Sequence, residues 1–208
     1  MTNLFFTADL HLCHNREFLY QPRGFSSVEE MNEAIVERWN KVVKPDDMVT
    51  ILGDIILNDI EKGIEYLKQL NGQINFIWGN HDTDNKKKAI LSALPMSIDL
   101  GYAHQFKHNK ISFYLSHYPT LTANYDDRKF SQHLIALHGH THQRVNWLHA
   151  DNPFMYHVGV DSHDCTPVHI NEIIANIRNR WNQFEPLYEQ YKEDNYGEVK
   201  ELINANPI

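Results

Sequence analysis

Hydrophobic and polar residues alternate along the first half of the chain in blocks that switch between two periods. Asn3-Leu-Phe-Phe-Thr-Ala-Asp9 is a short apolar run closed by polar residues, the pattern of a buried strand. Val28, Met31, Ile35, Trp39 and Val42 then recur at helical spacing, which predicts a helix from about Val28 to Val43. Ser27 caps it with Glu30 at the third position, and Pro45 ends it. Met48–Gly53 is a second strand. Asn58 and Glu61 form a capping box for a helix carrying Ile60, Ile64, Leu67 and Leu70, closed by Asn71-Gly72. Ile74–Trp78 is a third strand. Strand, helix, strand, helix, strand is the signature of an α/β fold with a parallel sheet and right-handed crossovers.

The second half reads differently. The apolar runs Ile111–Leu115, Leu134–Leu137 and Met155–Val160 lack long helical patterns between them, which predicts a second, partly antiparallel sheet. A late helix is expected over about Asn171–Phe184, with Ile173, Ile174, Ile177, Trp181 and Phe184 on one face and an interruption at Pro186. Leu187, Tyr188, Tyr191, Val199 and Leu202 continue at helical spacing, so residues 171–208 read as a helical extension whose aromatics serve packing. No repeat, low-complexity tract or linker divides the chain, and residues 1–208 are expected to form a single domain.

Composition narrows the classes. The 208 residues are 42% hydrophobic and 22% charged, which argues against disorder. No apolar run reaches the roughly 18 residues of a membrane span, and Met1–Leu10 lacks the features of a signal peptide. Two cysteines, Cys13 and Cys165, cannot staple a chain of this size, so a cytoplasmic protein without membrane partners is expected. Nineteen basic against 27 acidic residues give a net charge of −8, which disfavours a general polyanion binder. Histidine is in excess: 14 in all, seven of them from His133 to His163.

Residues of ligand type gather where the strands end. Asp9-Leu-His11 follows the first, Gly53-Asp54 the second and Gly79-Asn80-His81-Asp82 the third; Ser116-His117 and Gly139-His140-Thr-His142 follow later strands. Carboxyl ends of strands form the crevice where α/β sheets bind ligands. Asp9 with His11, and His140 with His142, stand two apart and on strands would face the same way. Among competing histidines, His117 is preferred to His104, His108 and His133 because it directly ends an apolar run. Two carboxylates, one Asn oxygen and four imidazoles (Asp9, His11, Asp54, Asn80, His117, His140, His142) exceed one tetrahedral site and suit two divalent cations sharing a carboxylate. Mixed nitrogen and oxygen donors without thiolates fit Mn, Fe, Zn, Ni or Co better than Mg or Ca, with manganese foremost. His138, His149, His157, His163 and His169 read as structural or exposed, Lys86-Lys87-Lys88 as a solvated helix face and Cys13 as a small filler. Neither cysteine has an arginine six positions later and no Gly-Lys-Ser/Thr occurs, so a cysteine phosphatase and a P-loop enzyme are excluded.

The series Asp-x-His, Gly-Asp, Gly-Asn-His-Asp, lone His and Gly-His-x-His, in this order from Asp9 to His142, resembles that of the calcineurin-like metallophosphoesterases. More narrowly, Asp9-Leu-His11-Leu-Cys13-His14-Asn15 is similar to the Asp-x-His-Phe-Gly-His-x-Asn stretch of small prokaryotic and phage-type phosphoesterases, with Leu12 and Cys13 in place of Phe-Gly. The resemblance implies a four-layer α/β/β/α sandwich of two mixed sheets flanked by helices. It implies that Asp9, His11, Asp54 and His142 bind one metal and Asp54, Asn80, His117 and His140 the other. The implied reaction is one-step hydrolysis of a phosphomonoester or phosphodiester by in-line attack of a bridging hydroxide. His81 would be the general acid, held by Asp82 or a neighbouring carboxylate, and Asn80 would stabilise the developing charge. His14 and Arg23 are the expected substrate contacts. The implied substrate is a small phosphate ester or nucleotide. Nucleic acid cleavage is the alternative within enzymes, and a non-catalytic protein scaffold is the alternative outside them.

Overall fold

The computed structural model describes residues 2–122, 129–148 and 152–191, excluding the side chains of 184–191. Its first sheet is built from strands whose successive residues face opposite layers. In β1 (Leu4–Thr7), β2 (Met48–Leu52) and β3 (Gln73–Ile77), the side chains of Phe5, Val49, Ile51, Ile74 and Phe76 pack outward against helices. Phe6, Leu52 and Ile77 point inward, toward the second sheet. The order is β4-β3-β2-β1-β9, with β4 (Ile98–Asp99) parallel and β9 (Val168–His169) antiparallel to its neighbour.

Helix α2 (Val28–Val42) begins where expected: Ser27 Oγ accepts the Glu30 N–H at 3.1 Å, and the Glu30 carboxylate reaches back to the Ser26 N–H. Met31, Ile35 and Trp39 are fully buried on the outer face of the first sheet. Val42 departs from the predicted stripe, being 38% exposed, because the chain turns extended at Val43 and buries that side chain instead. Helix α3 (Ile60–Leu67) starts one residue later than the capping box predicts. Asp59, not Asn58, accepts the Lys62 N–H, and Asn58 takes a left-handed backbone ahead of it. A short helix, α1 (Glu17–Tyr20), and α4 (Asp84–Ala93) complete this layer.

The second sheet runs β5-β6-β7-β8, from Ala103–His108, Ile111–Ser116, Leu134–His138 and Met155–His157. Only β5–β6 is antiparallel; β6–β7 and β7–β8 are parallel. Strand β5 escapes the sequence pattern because its edge position leaves His104, Gln105 and Lys107 polar and exposed, and its tight turn uses left-handed Asn109 and Lys110 without a glycine. Helix α5 (Ile170–Tyr191) packs Ile173, Ile174, Ile177 and Trp181 against Phe154, Tyr156 and the inner faces of both sheets. It continues through Pro186, the predicted interruption: a proline removes one N–H bond and kinks a helix without forbidding the turns on either side. Val199 and Leu202, and His149, lie outside the described residues.

Two mixed sheets flanked by helices are therefore the observed α/β architecture, with α2–α4 on the outer face of the first sheet and α5 packed against residues of both sheets beside β1 and β9. Among the described residues no helix is long and apolar enough to cross a membrane. Strands β1, β2 and β3 of one sheet and β6 and β7 of the other end on the same side, and the loops that follow them meet there.

Candidate metal centre

The ladder between β1 and β2 continues past both strands. Asp9 N–H donates to the Gly53 carbonyl and His11 N–H to the Asp54 carbonyl, each at 3.0 Å. Across the sandwich, Gly139 N–H donates to the His117 carbonyl at 3.0 Å, and the His140 N–H is held by the Asp9 carboxylate at 2.9 and 3.1 Å. Those bonds fix the ends of β1, β2, β6 and β7 against one another, three through the backbone and one through the Asp9 carboxylate.

Asp9 and His11, and His140 and His142, converge as expected but not by strand alternation. Each lies beyond its strand with a positive φ, 57° and 50° for the first pair and 69° and 50° for the second; Asp54 has φ 53°. A left-handed backbone at a non-glycine residue costs of order 1–3 kcal/mol and clusters at functional sites. Gly53 and Gly79 make room for this. A Cβ on Gly53 would lie 2.5 Å from His117 Nδ1, and one on Gly79 would overlap Asp54 Oδ1.

Two groups of donors result. Asp9, His11 and His142 present ligand atoms within 4.8 Å of one another, and so do Asp9, Asp54 and His117. Asp54 Oδ2 lies 3.6 Å from His11 Nε2, 3.5 Å from His117 Nε2 and 3.9 Å from His81 Nε2. His117 Nδ1 is 2.9 Å from the Leu52 carbonyl, which assigns a proton to that nitrogen and turns Nε2 toward the centre. There Nε2 meets Asn80 Oδ1 at 3.0 Å and His140 Nδ1 at 3.2 Å. His142 Nδ1 is likewise engaged, by Asp161 Oδ2 at 2.9 Å. Both ring nitrogens of His11 are buried and have no hydrogen-bond partner. A buried imidazole with no hydrogen-bond partner, set among carboxylate, amide and imidazole donors, is donor chemistry that suits a cation. The seven predicted ligands lie close together; the two groups of donors have Asp9 in common, and Asp54 Oδ2 stands between His11 and His117, a donor set suited to divalent cations.

Electrostatics point the same way. Burial pushes the Asp9 carboxyl up to about 7 against the pull of His142 and His117. Burial also opposes ionisation of Asp54, but hydrogen bonding and charge from His117 outweigh it and hold that carboxyl at about 2. Burial lowers His11 well below its usual value; it would lower His117 too, were Asp54 and Asp9 not there to raise it.

Three predicted residues behave differently from their neighbours. Arg23 is not a substrate contact. Its side chain is 2% exposed, its Nε and Nη2 bind the Asp161 carboxylate at 2.8 and 3.0 Å, and its remaining donors hold the Asp9 and Leu10 carbonyls. Asp82 does not hold His81. Its oxygens accept the backbone N–H groups of Asp54 and Gly79 at 2.8 Å and of Ile55 at 3.1 Å, clamping the β2 and β3 ends together. The carboxylate beside His81 is Asp54, which also accepts the His81 N–H at 2.9 Å. His14 stays at the mouth of the centre, its ring stacked 5.4 Å from that of His11. His81 is half-exposed at the same mouth.

Asp161 is the residue sequence reasoning missed. It follows the run Met155–Val160, so the rule that found the other strand-end clusters applied to it as well. Its ion pair with Arg23 links the His142 loop to the Asp9–His11 loop across 138 positions. Of the competing histidines, His104 and His108 lie on the edge strand β5 and His133 is stacked on Phe154, so none of them replaces His117.

Comparison with known proteins is consistent with this geometry. The chain is 36% identical over 144 residues to an uncharacterised protein of Methanocaldococcus jannaschii, covering 68% of this chain and 70% of that one. It is 29% identical over 199 residues to the gene 66 protein of Mycobacterium phage D29, covering 85% of this chain and 98% of the relative. A solved protein of unknown function from Aquifex aeolicus shares the fold with a TM-score of 0.61 at 24% identity, over 84% of this chain and 99% of that one. Residues 3–157 match the model of the calcineurin-like phosphoesterase superfamily domain. The chain therefore belongs to the calcineurin-like phosphoesterases and is a hydrolase of phosphoric esters.

Proposed function

We propose that the protein is a binuclear, metal-dependent phosphoesterase. Asp9, His11, Asp54 and His142 would hold one cation, Asp54, Asn80, His117 and His140 the second, with manganese as the foremost candidate. Two such ions, when bound, supply Lewis acidity toward phosphate oxygens and a water made nucleophilic near neutral pH. The observation that carries this reading is Asp54 Oδ2, which stands within 3.5–3.6 Å of an imidazole from each half of the centre.

The chain's own groups do the rest. His81 is anchored through its backbone, its N–H on Asp54 Oδ1 and its carbonyl on Lys86 Nζ at 2.9 Å, while its ring remains open to solvent. It can therefore hand a proton to the departing oxygen of an ester held over the ligands, a contribution of roughly 10²–10⁴-fold. Asp161 fixes the His142 tautomer, and Asp82 fixes the loop that carries Asn80 and His81. Both cysteines are free and buried, which fits the reducing cytoplasm.

Protein stripped with chelator and reloaded with Mn²⁺ should hydrolyse p-nitrophenyl phosphate or bis(p-nitrophenyl) phosphate. Asp54→Asn should lose metal binding and activity together, whereas His81→Ala should keep the metals and lose turnover. Absence of hydrolysis with every divalent metal of the Mn, Fe, Zn, Ni and Co series would overturn the reading.

A further inference from the structure

Eight large hydrophobic side chains are exposed among the described residues, and exposure alone says nothing about them. Two are set apart by what they touch. Phe18 is 73% exposed and meets the His14 ring edge-to-face at 5.8 Å, and His14 in turn stacks on His11. Tyr118 is 51% exposed and meets the rings of His140 at 4.7 Å and His117 at 5.3 Å. An aromatic face open to solvent thus stands at each end of the row of metal-site histidines.

Both rings are held from behind. Leu19 and Tyr20, which follow Phe18 on α1, are buried, so the helix is anchored with Phe18 and the charged Glu17 left outside. The Tyr118 carbonyl accepts the Ser116 hydroxyl at 2.8 Å and the Thr120 hydroxyl at 3.2 Å, which fixes the turn that presents the ring. A monoester projects one substituent from phosphorus, whereas a diester projects two. From these observations, and resting on the phosphoesterase reading above, we infer that the site takes phosphodiesters whose two substituents each carry a flat ring, nucleosides being the biological form. Phe18 lies on the His14 side and is assigned the leaving substituent. Tyr118 lies on the His117 and His140 side and receives the retained one.

The test uses Mn²⁺-loaded full-length protein and three p-nitrophenyl esters with one leaving group: the thymidine 5′-diester, the methyl diester and the monoester. Wild type should prefer the thymidine diester. Tyr118→Ala should lower the ratio of kcat/KM for the thymidine over the methyl diester about tenfold, as expected for loss of one base-stacking contact. Tyr118→Phe should restore that ratio. Phe18→Ala should lower kcat/KM on both diesters by a similar factor through KM, and Phe18→Trp should recover it. Unchanged melting temperatures would show that these exposed substitutions leave the fold intact. A Tyr118→Ala ratio within twofold of wild type, or faster hydrolysis of the monoester than of either diester, overturns this inference and leaves the phosphoesterase standing. Failure of the wild type on all three esters takes down both.

Discussion

Replacing Arg23 with methionine keeps most of the apolar stem and removes the guanidinium. Asp161, 11% exposed in its side chain, would keep only His142 as a partner, and the Asp9 and Leu10 carbonyls would lose their donors. Removing one partner of a buried ion pair costs about 3–5 kcal/mol, because the other charge stays desolvated. For a chain of this size each kcal/mol moves the melting temperature by roughly 2–4 °C, so a drop of about 10 °C is expected. Arg23→Lys should recover little, since an ammonium cannot span the carboxylate and two carbonyls together. The assay is thermal and urea unfolding of wild type, Arg23→Met, Asp161→Asn and the double variant. The double variant should be less destabilised than the sum of the singles by about 1–3 kcal/mol, the signature of directly coupled groups. The pH dependence has a definite sign. Burial opposes Asp161 ionisation, but His142 and Arg23 outweigh it and hold the carboxyl well below its usual value. Its contribution is therefore present above the unfolded value of 3.8 and fades as pH falls below it, so the gap between wild type and Arg23→Met should narrow in acid. Strict additivity in the cycle, or an Arg23→Met variant within about 3 °C of wild type, would refute the buried-pair account.

Metal should stabilise the fold: at a thousandfold excess over its dissociation constant, Mn²⁺ should add about 4 kcal/mol, read as a rise in melting temperature that chelator reverses. Because burial places the Asp9 carboxyl at about 7 in the metal-free chain, cation affinity should fall as pH drops from 8 to 6, with proton release on binding visible in the buffer dependence of the titration heat. Gly79→Ala should abolish metal binding, since the new methyl would overlap Asp54 Oδ1 and lie 2.7 Å from its backbone nitrogen; retention of wild-type affinity would show that the loop can yield. Asp82→Ala strips the acceptor from three buried N–H groups and should destabilise by several kcal/mol in denaturant unfolding, at about 1–3 kcal/mol for each orphaned donor.

The convergence of the candidate ligands was legible because each obeys a local rule, a polar residue placed where an apolar run stops, and the parallel topology brings such ends to one side. The first-sheet strands and the start of α2 were legible for a similar reason, since period and cap lie within a few residues of each other. Strand β5 was not, because an edge strand with one solvated face carries little apolar signal. Arg23 was misread because its partner lies 138 positions away and nothing near it in sequence marks a buried arginine. Of the two partners expected for His81, Asp82 or a neighbouring carboxylate, it is the second, Asp54, that stands beside it. Adjacency in sequence suggested a side-chain pair with Asp82, whereas the tight turn after β3 aims that carboxylate at backbone donors. Pro186 shows a breaker overridden by a helix that has already formed on both sides.

Five of the seven candidate metal ligands sit in a backbone region that glycine occupies freely and aspartate or histidine does only at a cost. Replacing any one of them with glycine would relax the main chain by roughly a kcal/mol while deleting a ligand. At Asp9 and Asp54 the same change would also strip the His140 and His81 N–H groups of their acceptor, so the strained backbone and the carboxylates that hold it are inseparable.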